Sequence, residues 1–253
     1  MAVNIVYTDD YFDDLMVRMA HHSTAIEGNS LSQGDTKSLL IDNYIPRAMD
    51  MREMYEVLNY KRLIPFLRNS LTDDRSMDID FIKEVHRIVC DNAIESVPGE
   101  LKKSPNLVVG ADFTPVPPYM VIPKLKDWQL NLEFMLNCAK NNVEKVEAIC
   151  RQHIEFEHIH PFPDGNGRTG RALMVYGCFQ SDIIPIIIPV KRKSEYINYL
   201  NREDIAGFVN FCIELQKDEQ LRIEAFSNNN VQVDENKKEF LKHFSSSAFN
   251  PKH

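Results

Sequence analysis

Glycine and cysteine are scarce in this chain, long apolar runs are missing, and basic residues are outnumbered by acidic ones. With 9 Gly, 13 Pro and a hydrophobic set of 43% among 253 residues, neither a collagen-like class nor whole-chain disorder fits. The longest apolar stretch runs from Ile183 to Val190 and is broken by Pro185 and Pro189, too short to cross ~30 Å of hydrocarbon. No membrane partner is expected. The amino end, MAVNIVYTDDYFDD, turns acidic without early Lys or Arg, so it does not read as a secretory signal, and the expected location is cytoplasmic. The five cysteines (Cys90, Cys138, Cys150, Cys178, Cys212) lie far apart with no C-x-x-C, which argues against a disulfide framework. The balance of 29 Lys and Arg against 37 Asp and Glu, net charge −8, argues against nucleic acid as a partner, because phosphate backbones call for a positive surface.

The period along the chain is mostly helical. Phe12, Leu15, Met16, Met19 and Ile26 follow spacings of three and four after an acidic start, predicting an amphipathic helix from Asp9 to Ala25. Ser32 with Asp35 predicts a capping pair opening a short helix through Leu40, and Pro46 fits the first position of a longer helix reaching Leu67. Asp78 or Asp80 caps the next, through Val89. From Val97 to Pro123, six prolines and two glycines exclude a continuous helix; Leu107 to Val109 and Phe113-Thr114 flanking Gly110-Ala111-Asp112 predict a short hairpin. Helical pattern returns over Lys124 to Lys140, Glu144 to Ile159, a segment through Phe179, Ser194 to Leu200 and Ile205 to Phe226. The expected fold is mainly α. The tail from Ser227 reads as a peripheral helix or loose segment, and the division is 1–75, an amino-terminal helical region; 76–226, a core; and 227–253.

Three of the nine glycines fall within His160 to Arg171, His-Pro-Phe-Pro-Asp-Gly-Asn-Gly-Arg-Thr-Gly-Arg. Gly165-Asn166-Gly167 permits positive φ and leaves backbone N–H groups uncovered just before a helix amino end, a nest for anions. Arg168 and Arg171, three apart on the first turn, can hold phosphate oxygens bidentately. Asp164 is a hard oxygen ligand suited to Mg²⁺ that keeps most of its waters, and His160 is the group available for proton transfer near neutral pH. Together these parts describe a nucleotidyl-transfer site. The competing view, a plain turn with a solvated arginine face, leaves the whole constellation unexplained.

The segment resembles the motif HPFx(D/E)GNGRxxR of the Fic family at every defined position. Pro98 to Leu101 and Phe113 to Pro118 resemble the hairpin flap ahead of that motif, and Ser194 to Leu200 the Tyr-rich helix after it. The resemblance covers roughly residues 80 to 215. It implies a helical-bundle Fic fold with a small β-hairpin flap, and transfer of AMP from ATP, as cosubstrate, to a Ser, Thr or Tyr hydroxyl of a target protein or of the chain itself. It makes His160 the base, Asp164 the Mg²⁺ ligand, Gly165, Asn166 and Gly167 the anion hole, and Arg168 and Arg171 the phosphate partners. Phe162 becomes an apolar pin, and Tyr196 a candidate adenine contact, although the usual paired tyrosines read here as Tyr196-Ile197. The flap near Leu107 to Val116 is expected to align the target by strand addition.

Upstream, Ser23-Thr24-Ala25-Ile26-Glu27-Gly28-Asn29 reads as a helix end with Gly28 as carboxyl cap and Glu27 at the unfavourable end of the helix dipole, an acid in need of compensation. The stretch resembles the family's inhibitory motif (S/T)xxxE(G/N), with Ser23 and Glu27 in place. That resemblance implies that Glu27 pairs with Arg171 and takes the γ-phosphate position. A self-inhibited adenylyltransferase and a deadenylylating enzyme that uses Glu27 are both compatible with these residues, as is a non-catalytic interaction protein on a Fic core. Zinc held by His153, His158 and His160 fits poorly, because spacings of five and two do not share a helix face. No heptad seam points to an interface, so a homodimer is compatible with the sequence but not located by it.

Overall fold

The computed structural model describes residues 7–107 and 113–247, with side chains described through residue 228. Ten α-helices carry the described fold: α1 (Asp9–Ile26), α2 (Gln33–Leu40), α3 (Met51–Leu58), α4 (Tyr60–Thr72), α5 (Ile79–Val89), α6 (Pro118–Cys138), α7 (Asn142–Ile159), α8 (Asn166–Gln180), α9 (Lys193–Arg202) and α10 (Ile205–Ser247), with a 3₁₀ turn at Val190–Arg192. Helix α7 is central, packing on α6, α8 and α10, while α5 covers α8 from the other side and α1 lies across α2, α3, α4, α8 and α10.

Caps explain most of the boundaries. The Thr8 side chain accepts the Tyr11 N–H, Ser32 and Asp35 form the expected reciprocal box, and Asp78 and Asn141 cap α5 and α7 in the same way. Gly28, at φ 104°, follows α1 as anticipated. The helix expected from Pro46 starts later and is two helices. Asp50, extended at φ −65° and ψ 133°, caps α3 through the Glu53 N–H, a bond that Pro46 has no side-chain oxygen to offer. The chain bends at Asn59, whose side-chain amide donates instead to the Val89 and Asp91 carbonyls at the end of α5. Helix α6 begins six residues before the expected Lys124, because Pro118 occupies its first position, where a missing N–H is no loss.

Among the described residues there is no strand, so the expected β-hairpin flap is not supported. Residues 108–112 of that prediction lie outside the described residues. The flank that follows is tied to α7: the Phe113 ring stacks on His158 at 3.7 Å between centroids, and the Val116 backbone N–H reaches the His158 carbonyl at 3.4 Å. Prolines 115, 117 and 118 have no N–H to give a ladder. The expected boundary at 226/227 falls inside α10. Among the described residues no helix is long and apolar enough to cross a membrane.

The largest apolar cluster draws on both sides of the expected boundary at residue 75, joining Met19, Leu39, Val57 and Leu63 to Phe81, Val85, Phe162 and Tyr176. A buried ion cluster fastens α1 to α10. Arg18 donates from Nη1 and Nη2 to the two carboxylate oxygens of Glu219 at 2.8 and 2.7 Å, and the Tyr11 hydroxyl adds a third bond at 2.6 Å. Glu219→Ala leaves the Arg18 guanidinium, only 7% exposed, with Asp14 at 2.6 Å as its remaining acid, so a loss of about 1–3 kcal/mol is expected in urea denaturation; no measurable loss contradicts this assignment.

Candidate active site

The reversal between α7 and α8 builds the site. His160 ends α7 in the left-handed region, at φ 48° and ψ 61°, and Gly165, at φ 75°, opens α8. Gly165 is required twice over: positive φ favours it, and a Cβ there would collide with Cys90 Sγ. The loop between them is pinned by Phe162, fully buried and stacked on His86 at 3.7 Å. Asn166 closes it. Its Oδ1 accepts the Phe162 N–H and its Nδ2 donates to the Phe162 carbonyl, both at 2.8 Å. The first backbone bond of α8 runs from Thr169 N–H to the Gly165 carbonyl at 3.0 Å, leaving the N–H groups of Asn166, Gly167 and Arg168 without helical acceptors.

The titratable groups take distinct positions. His160 Nδ1 lies 3.2 Å from the Glu157 carbonyl; a carbonyl only accepts, so Nδ1 carries the proton and Nε2 keeps its lone pair. Burial pushes the His160 pKa down to about 4. Asp164 Oδ1 accepts the Gly165 N–H at 2.6 Å, while the side chain remains 55% exposed. A cleft flanked by Arg52, Asn92, Ser96 and Pro163 opens beside it.

Both arginines are buried and both meet acids from the amino-terminal region. Arg168 Nη1 lies 3.2 Å from Glu56 Oε1 and Nη2 3.6 Å from Asp164, while Nε has no protein partner. Arg171 donates from Nε to Ser23 Oγ at 3.0 Å, and from Nη2 to the Ser23 carbonyl at 2.8 Å and Glu27 Oε1 at 2.6 Å. Burial works against the Arg171 charge, but the Glu27 carboxylate holds its pKa above the ordinary guanidinium value. Gly167 makes this pairing fit, because a Cβ would strike Glu27 Oε1 and crowd Arg171 Nη1.

His160, Asp164, Gly165, Asn166, Gly167, Arg168, Arg171, Ser23 and Glu27 are thus brought together. Tyr196 lies behind them, 1% exposed within a second apolar cluster, with its hydroxyl 2.8 Å from His153 Nε2 and the Arg171 guanidinium beside it. His158 Nε2 faces the Leu200 carbonyl at 3.0 Å, and neither His153 nor His158 converges on His160. Among the described residues no group of three or more His, Cys, Asp or Glu is arranged to hold a metal ion.

Residues 76–177 match the Fic/DOC family. The chain carries a Fic domain. The chain is 35% identical over 199 residues to protein adenylyltransferase Fic-1 of Caenorhabditis elegans and 31% identical to protein adenylyltransferase Fic of Drosophila willistoni. These matches take in 76% and 77% of this chain but only 38% and 39% of the relatives, so it spans well under half of their length. A Fic-domain signaling protein from Bacteroides thetaiotaomicron superposes with a TM-score of 0.75 at 24% identity, over 85% of this chain and 88% of that one, which shows the fold. The Caenorhabditis elegans Fic-1 structure superposes with a TM-score of 0.72 at 30% identity, over 87% of this chain and 64% of that one.

Four residues around the Fic motif were not legible beforehand. His86 accepts the Gly99 N–H at Nδ1 (2.7 Å), which leaves Nε2–H to donate to the Asp164 carbonyl at 2.9 Å, wiring the Pro98-Gly99 turn to the motif. Lys102, buried, reaches the Ile159 carbonyl at 3.2 Å, and its backbone N–H the Pro161 carbonyl at 2.9 Å. Glu157 lies beneath Arg171, its pKa pushed up by burial to about 8, and Glu56 holds Arg168. Each reads in sequence as an ordinary helix or loop residue; only the sites they reach mark them.

The histidines give this region a pH signature. Burial lowers His86 and His160 to about 4 and His153 to about 3, below the ordinary 6.5, so between about pH 4 and 6.5 the unfolded chain binds more protons than the folded one. The stability they contribute is present above pH 6.5 and is lost as pH falls through about 4. Denaturation at stepped pH is expected to show this slope, and His86→Asn to reduce it; an unchanged slope contradicts the burial assignment.

Proposed function

We propose that this chain is a self-inhibited protein adenylyltransferase, transferring AMP from ATP to a Ser, Thr or Tyr hydroxyl of a target protein or of itself. The observation that carries the reading is the first turn of α8: uncovered N–H groups at Asn166, Gly167 and Arg168, two buried guanidiniums, and a histidine with a free Nε2 before them. The names of the relatives support it.

In this reading the target hydroxyl gives its proton to His160 Nε2 as its oxygen bonds to the α-phosphorus and the bond to the β-phosphate oxygen breaks, releasing pyrophosphate. The main demand is charge developing between phosphates, which preorganised N–H groups and guanidiniums meet without reorganising. Asn166 contributes through its backbone, because its side chain is committed to clamping Phe162. Mg²⁺ fits a single exposed carboxylate, Asp164, since this ion keeps several waters and shares phosphate oxygens; bound there, it supplies neutralisation of phosphate charge.

Glu27 is the brake. Its carboxylate occupies the Arg171 guanidinium that the γ-phosphate requires, and Ser23 holds that guanidinium in place. The same carboxylate, 39% exposed at the mouth of the site, also supports a second reading, in which Glu27 orients a water that removes AMP from a modified protein.

Incubation with Mg²⁺ and ATP labelled at the α- or γ-phosphate separates these readings. Glu27→Gly is expected to place α-label but not γ-label on protein, at least about tenfold above wild type, and Glu27→Gly with His160→Ala to abolish it. No label on the chain or on a lysate from any variant rejects transfer. Loss of AMP from modified protein with wild type but not with Glu27→Gly then selects removal.

A further inference from the structure

Arg168 is 1% exposed, and the acid that meets its charge, Glu56, is 4% exposed. The two oxygens of this carboxylate have separate tasks. Oε1 lies 3.2 Å from Arg168 Nη1. Oε2 accepts from Asn29 Nδ2 at 2.9 Å, and that amide also donates to the Glu53 carbonyl at 3.0 Å. Asn29 is itself fixed, since its Oδ1 takes the Leu31 N–H at 2.9 Å. Arg52 Nε also approaches Oε1, at 3.3 Å, but from a side chain that is 63% exposed, where an ion pair contributes little.

A guanidinium is a flat fork, and holding one nitrogen fixes which edge remains free. With Nη1 on Glu56, Arg168 has an Nε with no protein partner and an Nη2 that comes no nearer than 3.6 Å to the Asp164 carboxylate. Glu56 and Asp164 are the acids within ion-pair distance of this arginine, and Glu27 acts on it from farther away. Without Glu56, the buried cation turns to Asp164, which misaims the fork and engages the carboxylate at the mouth of the site.

We infer that Glu56, which lies on α3 outside the Fic match, is a positioning residue: it aims Arg168 at the phosphates, and Asn29 braces it from the turn that follows Glu27. This rests on the nucleotidyl-transfer reading above. The amino-terminal region then supplies two acids of opposite effect, Glu27 occupying one motif arginine and Glu56 preparing the other.

The test uses the full chain with Glu27→Gly, reading ATP affinity by calorimetry, transfer of α-label, and melting temperature. Adding Glu56→Gln is expected to weaken ATP binding and lower kcat by about tenfold each. Glu56→Asp is expected to restore part of both. Asn29→Ala, which leaves the acid in place, gives a smaller loss in the same direction and serves if Glu56→Gln does not fold. In an Arg168→Ala background, Glu56→Gln is expected to change neither quantity further, which a role in folding alone does not predict. Full additivity with Arg168→Ala, or unchanged ATP affinity and rate in a folded Glu56→Gln variant, overturns the inference while leaving the transferase reading intact. If Glu27→Gly neither binds ATP nor transfers label, both fall together.

Discussion

Two guanidinium groups buried at the first turn of α8 set the terms for the rest of the molecule. A charge removed from water needs a counter-charge with directed hydrogen bonds, and a helix amino terminus, itself positive, makes that need greater. Neither arginine finds enough locally. Asp164 is four residues from Arg168 and only 3.6 Å away, but it is largely exposed. The carboxylates come instead from Glu27, which caps α1, and from Glu56 of α3. The amino-terminal region is therefore continuous with the core that holds the motif, and Met19, Val57 and Leu63 share one apolar cluster with Phe81 and Phe162.

The docking is reinforced at two places along α1. From its middle, Arg18 grips Glu219 of α10 with two bonds, and Tyr11 of the first turn adds a third. Near its end, Ser23 and Glu27 close on Arg171, and Asn29 reaches α3. The two places differ in burial. The Arg18 and Glu219 side chains are 7% and 8% exposed, whereas Glu27 is 39% exposed and followed by Gly28 at φ 104°. Removing a half-exposed carboxylate from one guanidinium disturbs far less packing than lifting the helix from α10.

The loop before α8 follows the same economy of means. His160 and Gly165 provide two left-handed turns, Phe162 fills the core below, and Asn166 clamps the Phe162 peptide from both sides. The loop is thus held by its own side chains, and the N–H groups of Asn166, Gly167 and Arg168 are left without helical acceptors. His86 couples it to the Pro98-Gly99 turn, so the segment leading to residues 108–112 and the motif share one framework.

Sequence by itself determined the helical class, most helix starts, and the turn within residues 160–171 between α7 and α8. Capping side chains act within four residues, and the motif's groups are near neighbours, so Ser32, Asp78, His160, Asp164 and Gly165 to Arg171 carry their meaning locally. The pairing of Glu27 with Arg171 was legible only through resemblance, since 144 positions separate the partners. Tertiary structure decided the rest. Tyr196 is buried between His153 and Arg171, while Glu56, an unremarkable acid on a short helix, became the counter-charge of Arg168. The hairpin expected around residue 110 found no strand among the described residues, because the flank that follows it is held by proline geometry and by the stacking of Phe113 on His158. The physical reason is common to all three. Burial and long-range charge pairing depend on which helix faces meet, and nothing in local periodicity encodes which distant carboxylate a buried guanidinium will find.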